Sequence, residues 1–471
     1  MQKEMVIVLD CGATNIRAMA IDDRGNVLAS VHRQNFTLNP PENPQWHIWP
    51  LANIMESLEH CCRTLVGKLP QYPVRALTIT AFGVDGALVD SRGAPLYPVI
   101  SWKCPRTEAV MNNIHKYLAP AELKAITGVA PYSFNTLYKL IWLRENVPDV
   151  FERAHAWLFM SSLIGFQLTG EMTTERTMAG TSQLLDVAKE TFSERLLEAI
   201  GITRSLFPRM VNSGEPIGEL QPAAAARFGL KAGIPVIAGG HDTQFALYGS
   251  GVGLNQPVLS SGTWEILMVR SASINTDLLQ SHRAATCELD SIGGYFNPGC
   301  QYLASGVLEW IRELYWPGAP APQVYQQMLQ EAGRVPAGCE GVTMRSDLMG
   351  DKQAGWQGVT LSTRRGHLYR SALEALSLRL REQLTMLEAV AGFKARELVL
   401  VGGGSRNALW NQIKADTLQL PVKVLEKAET TVAGAAMFAW AGCGVYRSAD
   451  EARAQVSFDY QTWLPGQPSG G

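Results

Sequence analysis

The sequence lacks an excess of charge of one sign, paired cysteines and long apolar runs. Its 41 Lys and Arg oppose 43 Asp and Glu, for a net charge of −2, so there is no basic field to attract nucleic acid or an anionic membrane surface. The 8 cysteines are scattered without CxxC spacing, which excludes a disulfide-dense module and favours reduced thiols. We therefore expect a cytoplasmic protein whose partners include neither nucleic acid nor a membrane.

Other absences concern segments and motifs. The apolar stretch 431–445 is too short and too rich in Gly and Ala to cross a bilayer, so it predicts a buried helix. A strand is predicted within a few residues of the first Met, which leaves no room for the apolar core of a signal peptide. The sequence contains no Walker loop, nucleophile elbow, metal-ligand cluster or low-complexity block. At 471 residues the chain exceeds what one hydrophobic core usually supports, so two domains are expected.

A small polar turn between two apolar runs stands near the start of the chain. Between residues 6–9 and 18–21 the sequence is Asp10-Cys11-Gly12-Ala13-Thr14-Asn15-Ile16-Arg17. Apolar runs on both sides of a short turn predict a β-hairpin. The turn offers a carboxylate, a glycine that permits close backbone approach, a hydroxyl, an amide and a guanidinium. These groups suit the phosphates of a nucleotide and the accompanying metal ion.

The same pattern recurs in the second half, where two apolar runs flank Gly262-Thr263. Further on, a buried strand at 397–401 leads into Gly402-Gly403-Gly404-Ser405-Arg406-Asn407 and a helix predicted from 408 to about 418. Three glycines let a flat ring or a phosphate approach the backbone, and Ser405 or Asn407 can cap the helix. The loop lacks the third glycine position of a Rossmann fingerprint, and no βαβ partner is predicted for it.

Each glycine turn alone has a simpler interpretation, since most are only turns and Gly402-Gly403-Gly404 could merely allow tight strand–helix packing. Together, two hairpins in corresponding halves and a glycine loop indicate two facing phosphate loops. Between the hairpins, His241-Asp242 follows a double-glycine turn at the start of a predicted helix. The pair could have a structural role, as an aspartate that caps the helix beside a histidine with its hydrogen bonds satisfied. Its position after the glycine turn and between the two hairpins favours a catalytic role instead.

Candidate sugar contacts follow a strand that ends near residue 80. Gly83 and Asp85 come at this strand end, where α/β proteins bind ligands. Residues 101–107 then mix Trp102 with cationic and turn-forming residues, as in a sugar pocket, although Trp102 alone could be a half-buried core aromatic. Two helices are also predicted, an amphipathic one at 134–146 and a second one at 299–315 in the other half of the chain.

These motifs resemble the FGGY family of carbohydrate kinases, within the actin and hexokinase superfamily. The resemblance is carried by the Asp10–Arg17 turn, Gly240-His241-Asp242, Ser261-Gly262-Thr263 and Gly402-Gly403-Gly404. Residues 134–146, and residues 354–359 with 367–374, are similar to the two signatures of the family. The likeness runs from residue 5 to about residue 445.

The resemblance implies an α/β, two-lobed actin/hexokinase-like (ribonuclease H-like) fold, with mixed sheets flanked by helices and a ligand cleft between the lobes that closes on both substrates. It implies an N-terminal lobe at 1–250 with the sugar site and first phosphate loop. A C-terminal lobe at 257–447 would hold the second phosphate loop and the adenosine loop, and 448–471 would be a tail.

The resemblance also implies ATP- and Mg²⁺-dependent phosphorylation of a 6-deoxy-ketohexose at its C1 hydroxyl. By the family pattern Asp242 is the general base and Asp10 holds the metal. The implied sugar contacts are Gly83, Asp85, Trp102, Asn135, His241, Thr243 and Gln301. The implied nucleotide contacts are Gly12, Ala13, Thr14, Asn15, Arg17, Gly262, Thr263, Glu309, Gly403 and Asn407.

Two departures and two alternatives accompany the resemblance. Lys103 and Cys104 follow the tryptophan where the family commonly has an acidic residue and an arginine, and Ala13 replaces a frequent threonine. The acceptor could be another ketose, such as L-rhamnulose, D-ribulose or D-xylulose. An ATP-driven switch resembling actin or Hsp70 is the alternative of another class, and the two signature stretches and His241-Asp242 argue against it.

Overall fold

The computed structural model describes residues 4–345, 355–426 and 429–466. Residues 1–3 of the predicted N-terminal lobe, Ala354 at the start of the second signature-like stretch, and residues 467–471 of the predicted tail lie outside the described residues. The chain divides into two compact units. The first is Met1–Gly251, Leu279–Asn297 and Glu429–Ser457, and the second is Val252–Leu278, Pro298–Ala428 and Phe458–Gly471. The contiguous lobe boundaries near 250 and 257 stay a prediction.

The strands in the described parts of the chain are β1 (Met5–Cys11), β2 (Asn15–Ile21), β3 (Val27–Gln34), β4 (Ile48–Trp49), β5 (Val74–Ala81), β6 (Gly86–Val89), β7 (Val99–Ile100), β8 (Ala156–Phe159), β9 (Thr174–Glu175), β10 (Leu185–Asp186), β11 (Thr191–Phe192), β12 (Met210–Val211), β13 (Pro216–Glu219), β14 (Pro235–Ile237), β15 (Val258–Ser261), β16 (Trp264–Met268), β17 (Ala285–Leu289), β18 (Phe296–Leu303), β19 (Thr343–Arg345), β20 (Gly355–Gln357), β21 (Leu398–Val401), β22 (Val422–Leu425) and β23 (Tyr460–Trp463).

The α-helices there are α1 (Leu51–Lys68), α2 (Glu108–Asn112), α3 (Pro120–Thr127), α4 (Thr136–Asn146), α5 (Pro148–Glu152), α6 (Met160–Thr169), α7 (Arg176–Gly180), α8 (Glu194–Ala199), α9 (Pro222–Phe228), α10 (Asp242–Gly249), α11 (Thr276–Ser281), α12 (Ser305–Tyr315), α13 (Pro322–Gly333), α14 (Arg365–Ala391), α15 (Ala408–Leu418), α16 (Thr430–Gly442) and α17 (Ala449–Arg453). Short 3₁₀ turns occupy Pro105–Thr107, Ile114–Lys116, Arg204–Leu206, Cys339–Gly341 and Gly403–Arg406. None of the described helices is both long and apolar enough to cross a membrane.

The first unit is built on a six-stranded mixed sheet in the order β13-β14-β5-β1-β2-β3. Strand β1 is buried along its whole length, as expected of an unbroken apolar run in the middle of a sheet. It pairs antiparallel with β2, which sets Asp10 opposite Arg17, and parallel with β5. The predicted hairpin is confirmed, and the polar ends of β1 and β5 lie at the same edge of the sheet.

Helices α10 and α16 pack closely in this unit, because glycines stand where they meet. A side chain at Gly249 would overlap the carbonyl of Thr430, and one at Gly434 would overlap the carbonyl of Phe245. Helix α16 is almost entirely buried, so the buried helix predicted at 431–445 is confirmed as far as Gly442, and residues 443–445 lie beyond its end. The C-terminal segment therefore fixes α10, the helix that begins at Asp242.

The second unit pairs its strands in the order β18-β16-β15-β21-β22-β23. Strands β15 and β16 are antiparallel and leave Gly262-Thr263 at the turn, so the second hairpin is also confirmed. Strand β15 lies parallel to β21, and β21 lies parallel to β22 with α15 between them in sequence. The glycine loop therefore belongs to a βαβ unit, and the expectation that it has no βαβ partner is wrong. Strand β22 was not predicted because its sequence is short and mixes polar with apolar residues.

Two helix predictions need correction. Residues 299–303 belong to β18 and pair with β16, and the helix begins only at Ser305; a run with apolar and small residues suits either state until a neighbouring strand is present. The predicted helix at 134–146 begins at Thr136, and its residues through Leu143 are all buried. It is a core helix rather than an amphipathic one.

Candidate active site

Asp242 is the first residue of α10 and follows the turn at the end of β14. Its Oδ1 accepts a hydrogen bond from Thr243 Oγ1 at 3.2 Å and lies 3.3 Å from Nε2 of His241. The side chain remains 29% exposed. Burial raises the pKa of Asp242, and the charge of His241 offsets this only in part. A carboxylate of raised pKa that still has an open side is suited to accept a proton.

Asp10 lies at the end of β1 and is nearly buried. Burial raises the pKa of its carboxyl to about 6 although Arg17 opposes the change, and the charges of Asp242 and Glu429 add to the rise. Arg17 holds Oδ2 of Asp10 through Nε at 2.8 Å and Nη2 at 2.6 Å. A buried carboxylate that lacks full compensation is a place where a cation is stabilised.

Glu429 is a residue that sequence reasoning missed. It precedes α16, and its Oε2 accepts from Nη1 of Arg17 at 2.6 Å. Arg17 is therefore held between two carboxylates, on Asp10 and on Glu429. No local pattern could have indicated this contact, because the partners are 412 residues apart in sequence.

The first hairpin turn is held by hydrogen bonds of its own backbone. The amide of Gly12 donates to the carbonyl of Asn15 at 3.0 Å, and Asn35 Nδ2 donates to the carbonyl of Gly12 at 2.8 Å. A Cβ on Gly12 would come within 2.8 Å of the carbonyl oxygen of Asn15, so the turn needs glycine. Gly12 and Ala13 are half-buried, and Thr14 and Asn15 are exposed, an arrangement open to an anion.

Gly83 and His241, both predicted as sugar contacts, lie next to each other in the structure. A Cβ on Gly83 would lie 2.9 Å from Nε2 of His241. Val84, the next residue, has φ 63°, which is a strained conformation for a β-branched side chain. Its amide donates to Thr181 Oγ1 at 3.0 Å, and its carbonyl accepts from Thr136 Oγ1 at 2.8 Å. These contacts hold the loop beside the imidazole.

Asp85 is fully buried, and both of its oxygens have partners. Oδ2 accepts from Trp49 Nε1 at 2.6 Å and from the amide of Trp102 at 2.9 Å, and Oδ1 accepts from Lys139 Nζ. Burial raises the pKa of Asp85 and lowers that of Lys139, each against the pull of the other charge. The geometry makes Asp85 an anchor for the Trp102 backbone, and its direct contact with sugar stays a prediction.

Asn135 is also buried, and both the oxygen and the nitrogen of its side-chain amide have a partner. Its Oδ1 accepts from the amide of Tyr132 at 2.8 Å, and its Nδ2 donates to the carbonyl of Thr181 at 3.1 Å. Next to it, Phe134 lies edge-on to Trp102 with ring centroids 6.4 Å apart and stacks on Tyr132 at 5.1 Å. Trp102 is half-buried, so an aromatic surface is available beside the Gly83 loop.

Gln301 lies in the second unit on β18, paired with Ile266. The predicted nucleotide contacts of that unit converge on a cavity of about 730 Å³. Thr263, Glu309, Gly403 and Asn407 line it, while Gly262 stands in the adjacent hairpin turn.

Aromatic residues missed by sequence reasoning complete the lining of this cavity. Trp310, Tyr325 and Tyr369 line it together with Leu308 and Met328. Tyr369 lies in the stretch similar to the second signature, which was the available signal. Of the two residues predicted as possible caps, Ser405 and Asn407, it is Asn407 that caps α15 by accepting from the amide of Trp410 at 2.9 Å. Its Nδ2 donates to Tyr369 Oη at 3.3 Å. Flat apolar walls beside an open glycine fit a heterocyclic ring.

A buried ion pair supports the two glycine loops of the second unit. Glu265 accepts from Lys414, from Ser261 Oγ at 3.0 Å and from Tyr302 Oη at 2.6 Å. A side chain on Gly404 would overlap Ser261 Oγ, so the glycine loop lies directly against the strand before the Gly262-Thr263 turn. The spacing between the two loops is thereby fixed.

Gly403→Val is expected to raise the KM for ATP at least about tenfold while leaving the melting temperature near that of the wild type. Gly403 lines the nucleotide cavity, and a Cβ placed on it meets no atom within 4 Å. The new side chain would occupy volume that the ligand needs, and it would not clash with any atom of the protein without ligand. Gly253→Val is the matched control, because its Cβ also meets no atom within 4 Å and it lies outside the cavity. An equal effect of both variants on KM would contradict a nucleotide role for this cavity.

The fold matches that of a solved sugar kinase. The xylulose kinase of Rhodospirillum rubrum superposes with a TM-score of 0.90 at 24% sequence identity, over 98% of this chain and 95% of that one. The predicted two-domain α/β class with mixed sheets and flanking helices is thus confirmed.

The family follows from sequence comparison. Residues 5–249 match the N-terminal domain, and residues 258–443 the C-terminal domain, of the FGGY family of carbohydrate kinases. The chain belongs to this family and is an ATP-dependent sugar kinase.

Two relatives refine the comparison. The L-fuculokinase of Escherichia coli K12 is 56% identical over 465 residues, covering 99% of this chain and 98% of the relative. The L-fuculokinase of Haemophilus influenzae is 40% identical over 456 residues, covering 95% and 97%.

Proposed function

We propose that this chain transfers the γ-phosphoryl group of ATP to the C1 hydroxyl of L-fuculose, giving L-fuculose 1-phosphate. The observation that carries the proposal is the half-buried carboxylate of Asp242, on the same unit as the first hairpin turn and Asp10. The two L-fuculokinases named above support the choice of sugar, because they match this chain over nearly its full length.

Asp242 acts as the general base in this proposal. Its carboxylate accepts the proton of the C1 hydroxyl as that oxygen forms a bond to the γ-phosphorus, and the bond from phosphorus to the β,γ-bridging oxygen breaks to release ADP. Phosphoryl transfer asks for in-line positioning and charge neutralisation more than covalent work by the protein. The backbone amides of Ala13 and Thr14, and the guanidinium of Arg17, are the donors for the phosphates.

Asp10 is the residue we propose for Mg²⁺. Among the described residues there is no group of three or more His, Cys, Asp or Glu side chains arranged to hold a metal ion. A single buried carboxylate still fits Mg²⁺, because kinases bind this ion through one or two carboxylates, waters and the phosphates of the nucleotide. When bound, Mg²⁺ supplies charge neutralisation at the transferred phosphates.

Release of ADP with a panel of ketoses tests the proposed substrate. L-fuculose should give kcat/KM at least about tenfold above L-rhamnulose, D-ribulose and D-xylulose, because a misplaced hydroxyl leaves buried polar groups unpaired. Phosphorus-coupled NMR of the product should place the phosphate on C1. Preference for another ketose would overturn the choice of sugar, and sugar-independent hydrolysis stimulated by a protein partner would favour the ATP-switch alternative. A cytoplasmic location remains a proposal from the sequence.

A further inference from the structure

The imidazole of His241 lies between two carboxylates. Its Nε2 is 3.3 Å from Asp242 Oδ1, and its Nδ1 is 3.3 Å from Oε2 of Glu288 on β17. The histidine side chain is 13% exposed, and that of Glu288 is 22% exposed. No sequence motif indicated Glu288. It lies beside His241 because the segment Leu279–Asn297 packs in the first unit.

The charges around the ring favour its protonated form. A carboxylate oxygen lies at ion-pair distance from each ring nitrogen, and two negative charges stabilise a charged ring. Gln244 Nε2 also lies 3.4 Å from Nδ1 and donates to Oε2 of Glu288. A histidine with both nitrogens protonated is an imidazolium. Burial lowers the pKa of His241, but the hydrogen bond and charge of Glu288 and the charges of Asp242 and Glu175 outweigh burial and raise it.

The ring and Glu288 are held from several sides. The backbone amide of His241 donates to Thr177 Oγ1 at 2.9 Å. The edge of the imidazole packs directly against Gly83, where a Cβ would lie 2.9 Å from Nε2. Gln244, one turn further along α10 and almost fully buried, donates to Oε2 of Glu288. Glu288 is therefore fixed where it meets Nδ1.

We propose that Glu288 is a positioning residue for the phosphoryl transfer: it holds the His241 ring so that Nε2 stays beside Oδ1 of Asp242 and Oδ2 stays open to the acceptor hydroxyl. This inference rests on the proposed role of Asp242 as base. In this proposal Glu288 acts through the His241 ring, so it is a positioning residue and not a catalytic one. Without it, the ring has no acceptor at Nδ1, and its tautomer and orientation are no longer defined.

Glu288→Gln is expected to lower kcat roughly tenfold at neutral pH with the KM for ATP nearly unchanged, because a misaligned base affects the chemical step. The alkaline limb of kcat should move to lower pH by about one unit or more. The sign follows from the charges that face the ring: Glu288, Asp242 and Glu175 all raise the pKa of His241, so removing one carboxylate lets the ring lose its proton at lower pH.

Two comparisons separate positioning from a structural role. Glu56→Gln, whose side chain is 76% exposed, is the isosteric control and should leave kcat and its pH limbs unchanged. Glu288→Asp keeps the charge but shortens the reach, so it should recover part of the pH shift. A Glu288→Gln variant whose alkaline limb stays in place overturns the proposal, even if its kcat is lower.

NMR titration of the His241 ring in the wild-type protein gives a test without substrate, with the signal assigned through His241→Asn. The ring should be doubly protonated at pH 7 and titrate above its ordinary range. A neutral ring at pH 7 would overturn the proposal, and this test does not depend on whether the Glu288→Gln variant folds. If the ring behaves as expected but the wild type phosphorylates no sugar, the proposed function fails instead.

Discussion

Replacing Asp242 with Asn is expected to lower kcat for sugar phosphorylation by about 10³-fold. The amide keeps the size and most contacts of the side chain but cannot take the proton of the acceptor hydroxyl. The KM for ATP should change little, because the nucleotide cavity of the second unit does not include Asp242. Initial rates of ADP release, with ATP varied at saturating sugar, measure both quantities.

The pH profile adds a second readout for Asp242. Burial raises the pKa of its carboxyl, offset in part by His241, and the base works only when ionised. Activity should therefore fall as the pH drops through a value above the ordinary aspartate pKa of about 3.9. Asp149→Asn, at an exposed position, serves as the isosteric control. An Asp242→Asn enzyme that keeps a tenth or more of the wild-type kcat would remove Asp242 from the role of base.

Lys139→Met is expected to lower the free energy of unfolding by about 3–5 kcal/mol. Lys139 and Asp85 have no exposed side-chain surface, so removing the ammonium leaves a buried carboxylate without its cation. The ammonium also contacts the carbonyl of Val84 at 3.2 Å, and the strained Gly83 loop loses a support. Denaturant unfolding followed by tryptophan fluorescence measures the loss, since Trp49 and Trp102 both hydrogen-bond Asp85.

The pH dependence of this loss has a definite sign. Without Lys139, the folded-state pKa of Asp85 rises further above its unfolded value, so the folded protein binds more protons than the unfolded chain between those two values. Stability then falls as pH rises through that window, and it is recovered as Asp85 protonates at lower pH. The deficit of Lys139→Met should thus be smaller near pH 5 than near pH 8.

Controls for Lys139→Met come from the same chain. Lys189 pairs with Asp186 at 3.2 Å but is 75% exposed, so Lys189→Met should change stability by less than about 1 kcal/mol. Adding Asp85→Asn to Lys139→Met removes the stranded charge and should restore part of the loss. Equal losses from the exposed and buried lysines would show that the buried pair has no special importance.

Local patterns were sufficient for much of the scaffold. Both glycine hairpins, the helix that begins at Asp242 and the Asn407 cap could be predicted, because apolar spacing and turn residues act over a few positions. Prediction was wrong at 299–303, where the strand is stabilised by pairing with β16 rather than by its own residues. It was incomplete at Asp85, since nothing local shows that its oxygens are occupied by Trp49, Trp102 and Lys139.

The amino-acid sequence by itself determined the family, the two glycine hairpins and the candidate base, since these depend on short motifs whose backbone chemistry is local. Only the tertiary structure decided which charges surround them. Glu288 and Glu429 join the unit of Asp10 and Asp242 from distant segments, and their carboxylates set the orientation of His241 and Arg17. Electrostatic interactions depend on distance in space and on burial, and neither quantity can be read from separation along the chain.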